Sequence, residues 1–251
     1  MSGLSIQQVS LDKRLTGISL QVQPAELLHL IGPNGAGKSS LLQVLAGLLP
    51  VSSGQIRYAG RNWADFSLAE LANFRTLQEQ SEYPAFAVKV REALQFFIPD
   101  LATIPEPLDN ALEIAPFLDK SMQQLSGGEL RRVQISRALL QVWPAILAGE
   151  GLILLDEPLQ GLDLRHQSLL MQLLADIADK GNKVVISNHD LNLCYRYADK
   201  VGLLKSGQLQ EFGQTSAVMQ PEALSNAFGC LIAIHTTLEG KKIFQTVEKD
   251  R

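Results

Sequence analysis

The sequence predicts an α/β domain whose core is a parallel sheet covered by helices on both faces. Three observations carry that prediction. Short runs at residues 27–31, 152–155, 183–187 and 201–204 are apolar on both faces, which suits strands buried between helices. Helical periodicity stands between them, at residues 39–48 and 164–180. Strand, turn and helix therefore alternate, as they do where a sheet is parallel. The 251 residues suffice for one large domain or two small ones.

The elements follow in chain order. The first fifteen residues hold no long apolar run, so they show no secretory signal. The strand at 27–31 leads through a glycine-rich turn into the helix at 39–48. From about 82 to 142 no strand is expected. Val90, Leu94 and Phe97 are spaced as one helix face, and Leu108, Leu112 and Ala115 as another. Prolines at 99, 105, 107 and 116 punctuate this stretch, which reads as a helical insertion. A further helix is expected at 130–140, before the strand at 152–155. The helix at 164–180 carries Leu169, Leu170, Leu173, Leu174 and Ile177 on its apolar stripe, and Gly181 is placed to stop it. A turn at 205–207, a helix near 221–228 and strands at 231–237 and 242–247 close the chain.

Bulk properties narrow the function. The chain has 22 basic and 26 acidic side chains, a net charge of −4, and no basic footprint for nucleic acid. Its two cysteines, Cys194 and Cys230, lie in no CxxC pair, which argues against a disulfide framework or a zinc site. No apolar run approaches the ~20 residues needed to span a bilayer.

Three motifs carry chemistry. Gly32-Pro33-Asn34-Gly35-Ala36-Gly37-Lys38-Ser39, followed by Ser40, matches GxxxxGK[ST] between a strand and a helix. Its glycines let successive backbone N–H groups face phosphates, and the helix N-terminus adds positive potential. Lys38 would reach the β- and γ-phosphates, and the Ser39 hydroxyl would ligate Mg²⁺. The strand at 152–155 ends in Asp156 and Glu157. Downstream of such a loop, Asp156 is expected to hold Mg²⁺ through water and Glu157 to activate the attacking water as general base. The third motif is Leu125-Ser126-Gly127-Gly128-Glu129, at the start of a helix where it would present N–H groups to an anion.

Together these motifs resemble the ATP-binding subunits of ABC transporters, in which LSGG is the family signature. The resemblance covers essentially the whole chain. It implies a single ATP-binding domain over residues 1–251, an α/β P-loop NTPase core of the ABC type. An N-terminal antiparallel β layer, a helical signature subdomain at about 82–142 and an accessory segment at about 205–251 belong to that picture. Gln80 matches the glutamine that contacts Mg²⁺ and the attacking water, with Gln78 as the alternative. Asp163 matches the D-loop that touches a partner subunit, and it would also suit a helix N-cap. His189 matches the histidine that contacts the γ-phosphate.

The resemblance further implies ATP with Mg²⁺, and a second copy of the chain packed head to tail. Each ATP would then lie between the phosphate loop of one copy and the LSGG of the other. Two copies of a separate transmembrane permease, and indirectly a periplasmic substrate-binding protein, complete the expected assembly, peripheral on the cytoplasmic face of the bacterial inner membrane. The sequence departs from the family in three places. Residues 11–15 lack the aromatic that stacks on adenine, so Arg14 is the candidate to stack instead. Ala25-Glu26 replaces Gly-Glu, and residues 141–151 form a longer connection than usual. These features, with Pro84-Ala85-Phe86-Ala87, are similar to the group that imports vitamin B12. Iron-siderophore and haem importers, or a soluble ABC ATPase of iron–sulfur assembly, are the alternatives.

Overall fold

A computed structural model describes residues 3–80, 87–98 and 103–247. Its centre is a six-stranded sheet in the order Gln208–Gln214, Lys200–Lys205, Glu26–Ile31, Lys183–Ser187, Leu152–Leu155, Arg75–Gln78. Five strands are parallel, and Gln208–Gln214 closes one edge antiparallel. Gln78 lies opposite Leu155, Leu155 opposite Ile186, and Leu30 opposite Ser187. The carboxyl ends of four strands are therefore nearly level. The loops that leave them converge on one edge, where open α/β sheets bind ligands.

Both faces of the sheet are covered, which explains the two-sided apolar runs. One face, with Ile153, Leu155, Val184 and Ile186, shares a core with Val90, Leu94, Leu108, Leu112 and Val133 of the middle segment. The other face, with Leu28, Leu30, Leu154 and Val185, packs on the helix Lys38–Leu45. Beyond that helix stands an antiparallel sheet in the order Leu15–Val22, Leu4–Leu11, Ser53–Tyr58, Arg61–Asn62. The α/β P-loop core, its antiparallel N-terminal layer and the helices between are the fold class expected. A third core holds Val201, Leu203, Leu224, Ile232 and Phe244, under the C-terminal hairpin Leu231–Thr236 and Lys242–Val247.

Several local expectations are corrected. The helix Val90–Gln95 buries Val90 and Leu94 but ends before Phe97, which lies half-buried in the following turn. The helix Glu106–Leu112 ends at Glu113, whose φ is 48°, so Ala115 starts a separate 3₁₀ turn. There Asp109 Oδ1 accepts from the N–H groups of Ile114 and Ala115, both at 2.8 Å, which fixes the break. The long connection at 141–151 folds as a short helix, Trp143–Ala148, closed by Gly149 in a left-handed conformation. Ala25, where the family usually has glycine, adopts φ 60°, a conformation that costs a side chain free energy. Pro84, Ala85 and Phe86 lie outside the described residues. Among the described residues no helix is long and apolar enough to cross a membrane.

Candidate active site

The phosphate-type loop is shaped from beneath by glycine. Gly32 leaves its strand with φ 145°, and a Cβ there would meet the Leu204 carbonyl oxygen at 2.1 Å. Gly37 has φ 102° and stands just before the helix Lys38–Leu45. The first turn of that helix leaves its N–H groups without intrahelical acceptors, so they are free for an anion. Lys38 bends back over the loop and its Nζ donates to the carbonyl oxygens of Gly32 and Pro33, at 2.8 and 3.1 Å. Burial lowers its pKa, and the carboxylates of Glu157 and Asp156 raise it in opposition.

The acidic strand end splits into two environments. Asp156 is buried, and Ser187 Oγ donates to its Oδ1 at 2.6 Å. The same Ser187 Oγ accepts from the Glu157 N–H at 2.8 Å. Glu157 takes φ 48°, uncommon for a residue with a side chain, and its carboxylate faces the cleft rather than the Asp156 side. There Gln80 Nε2 donates to Glu157 Oε2 at 2.9 Å. His189 Nε2 meets Glu157 Oε1, so the three residues expected to act on substrate stand together. Gln78 is buried in its strand and makes its amide contact with the Glu79 carbonyl, so of the two glutamines Gln80 is the one in the cleft. The cleft has a volume of about 930 Å³ and is lined by Lys13, Arg14, residues 34–40, Gln80, Glu157 and His189.

The signature is not part of this cleft. Ser126 caps the helix Gly127–Gln141 by accepting from Glu129 N–H at 3.3 Å, while Glu129 Oε2 accepts from Ser126 N–H at 2.7 Å. Those hydrogen bonds, with Lys120 beside it, hold the Glu129 carboxyl below its usual range. Gly128 packs on the backbone before the D-loop, since a Cβ there would meet the Gly161 carbonyl oxygen at 2.9 Å. Asp163 is an N-cap, as its chemistry allows, and accepts from His166 N–H at 2.8 Å. Its side chain also meets His166 Nδ1, and these bonds lower its pKa.

Four features escaped the sequence. Ser187 joins both carboxylate residues. Gln160 Oε1 accepts a second bond from Gln80 Nε2, at 3.2 Å. Arg131 donates to four backbone carbonyls of the site. Arg132 stands 3.0 Å from His166 Nε2, and Glu113 lies 3.1 Å from the same nitrogen, which ties the middle helices to the D-loop. None has a sequence signal beyond being a polar residue in a helix, a strand or the turn next to one. Among the described residues no group of three His, Cys, Asp or Glu side chains could hold a metal unaided. Ser39, Gln80 and Asp156 offer oxygen donors, which suits Mg²⁺ carried in with substrate phosphates rather than a protein cage.

A glycine-shaped loop between strand and helix, with a carboxylate pair at the end of a parallel strand one place away in the same sheet, across Lys183–Ser187, defines a P-loop nucleoside-triphosphatase. The family model described as ABC transporter matches residues 15–160. A protein of Vibrio cholerae serotype O1 named vitamin B12 import ATP-binding protein BtuD is 37% identical over 245 residues, covering 94% of this chain and 97% of that protein. A protein of the same name from Yersinia pseudotuberculosis is 40% identical over 238 residues, covering 92% of this chain and 94% of the relative. A solved ATP-binding subunit of an ABC transporter superposes with a TM-score of 0.74 at 23% identity, over 90% of this chain and 95% of that one. The chain belongs to the ABC transporter family.

Proposed function

We propose that this chain is the ATP-hydrolysing subunit of a bacterial ABC importer, with vitamin B12 as its cargo. The meeting of Gln80, Glu157 and His189 at the mouth of the phosphate loop carries the reading of the reaction. The cargo rests on the relatives named as vitamin B12 import proteins. In this reading the loop N–H groups and Lys38 cradle the β- and γ-phosphates. Ser39, Gln80 and, through water, Asp156 would hold the Mg²⁺ bound with ATP, which would supply neutralising charge at the phosphates. Glu157 takes the proton of the attacking water. Gln80 orients that water, and His189 steadies the γ-phosphate side of the site. Leu125, Ser126, Gly127, Gly128 and Glu129 serve the ATP of a second copy, and Asp163 faces that copy. Closure of the pair drives a permease made by other chains, at the cytoplasmic face of the inner membrane.

Cells that lack this chain are expected to lose uptake of labelled cobalamin. The wild-type chain should restore it, and Glu157→Gln should not, with ATP turnover down at least ~100-fold. Normal cobalamin uptake with lost siderophore or haem uptake moves the cargo to that group. Purification with iron–sulfur scaffolds in place of a membrane permease overturns the importer reading.

A further inference from the structure

The catalytic segments are fastened by one side chain that no motif includes. Arg131 stands on the helix Gly127–Gln141, two residues after the signature, and is 5% exposed. Its NH1 donates to the carbonyl oxygens of Glu79 and Gln80, both at 3.1 Å. Its NH2 donates to those of Asp156 and Glu157, both at 2.7 Å. One planar fork therefore grips two segments, with one nitrogen for each. Those segments carry Gln80 and Glu157, whose side chains meet at 2.9 Å. The left-handed backbone of Glu157 persists only if its surroundings hold it. Ser187 Oγ holds its N–H, and Arg131 holds its carbonyl.

We infer that Arg131 is a positioning residue for hydrolysis. It sets Gln80 and Glu157 relative to each other and ties that geometry to the signature helix. Among the described residues it makes no hydrogen bond to the phosphate loop, and the four carbonyls it holds belong to the segments of Gln80 and Glu157. Movement of the signature helix, whose capped end carries Ser126, would thus be transmitted to the hydrolytic centre of the same chain. The guanidinium is needed for its shape as well as its charge. A lysine ammonium is a single point and cannot serve two segments on separate nitrogens. A misplacement of about 1 Å at a reacting group costs roughly 100-fold in rate.

This inference rests on the ATPase reading, and its test separates the two. Wild type, Glu157→Gln, Arg131→Lys and Arg131→Met are purified as full chains with their permease. Melting curves set a temperature at which each is folded, and a fluorescent ATP analogue counts the binding sites. Turnover per bound nucleotide and KM are then measured. Both Arg131 variants are expected to bind ATP within about 3-fold of wild type, with KM little changed and kcat per site down roughly 100-fold. Wild-type kcat in either variant overturns the inference, and so does a loss that lies wholly in KM. Arg131→Lys keeps charge and length, so it decides the matter if Arg131→Met fails to fold. If Glu157→Gln turns over like wild type, the assignment of the general base falls instead.

Discussion

His29 sits in the middle of the strand Glu26–Ile31, level with Ile186 on one side and Val201 on the other. It is fully buried, and neither ring nitrogen has a hydrogen-bond partner among the described residues. Burial lowers its pKa from 6.5 to about 3. The folded chain therefore refuses a proton that the unfolded chain accepts below pH 6.5. Stability attributable to this group is full above pH 6.5 and falls by about 1.4 kcal/mol per pH unit on the way down towards 3. His29→Leu should flatten that acid limb. It should also raise the unfolding free energy at pH 7.5 by about 1 kcal/mol, because it removes two buried, unsatisfied nitrogens. Urea unfolding at pH 7.5, 6 and 5 checks both effects. An unchanged slope between pH 6 and 5 would show that His29 is protonated in the folded state.

Among the elements, the joints depend on Asn182, which is fully buried. Its Oδ1 accepts from Gly151 N–H at 2.8 Å, ahead of the strand Leu152–Leu155. Its Nδ2 donates to Ile146 O at 3.0 Å and Ile177 O at 2.8 Å, near the ends of the helices Trp143–Ala148 and Leu164–Asp179. One amide thus reaches carbonyls at two helix ends, supplying Ile177 O with a donor and adding a second to Ile146 O, which also accepts from Gly149 N–H at 3.1 Å. Asn182→Ala is expected to cost about 2 kcal/mol, since Gly151 N–H and Ile177 O lose their partner while Ile146 O keeps the Gly149 N–H. Chemical denaturation measures it, and a change under 0.5 kcal/mol would mean the helix ends find other partners. The strand Arg75–Gln78 shows why some elements were silent in the sequence. Three of its four residues, Arg75, Thr76 and Gln78, are buried polar groups, so it offers no apolar run to read.

For the whole molecule, the decisive fact is that Leu125–Glu129 do not line the cleft built by residues 34–40, Gln80, Glu157 and His189. The chain presents a loop site in one place and a capped signature helix in another. The head-to-tail pair proposed above would use both. Glu157→Gln with saturating Mg²⁺ and ATP should sediment as a dimer, because binding proceeds and release of the closed state by hydrolysis is blocked. The wild type with ADP should remain a monomer. A Glu157→Gln chain that stays monomeric at every ATP concentration removes the two-copy reading.

The sequence by itself determined the phosphate loop, the carboxylate pair, the signature and most of the helices and central strands. Those signals are local, since a glycine at φ 145°, a helix cap or an apolar period is written in neighbouring residues. The antiparallel N-terminal layer came through family resemblance, because its strands shift register and Gln8 turns to φ 50° within one of them. Only the tertiary structure brought Gln80 to Glu157 across 77 residues, and only it set Arg131 against Glu79, Gln80, Asp156 and Glu157. The physical reason is that every residue carries a carbonyl. A clamp on backbone acceptors leaves no pattern in the sequence of the segments it holds, and the fold alone chooses which carbonyls it meets.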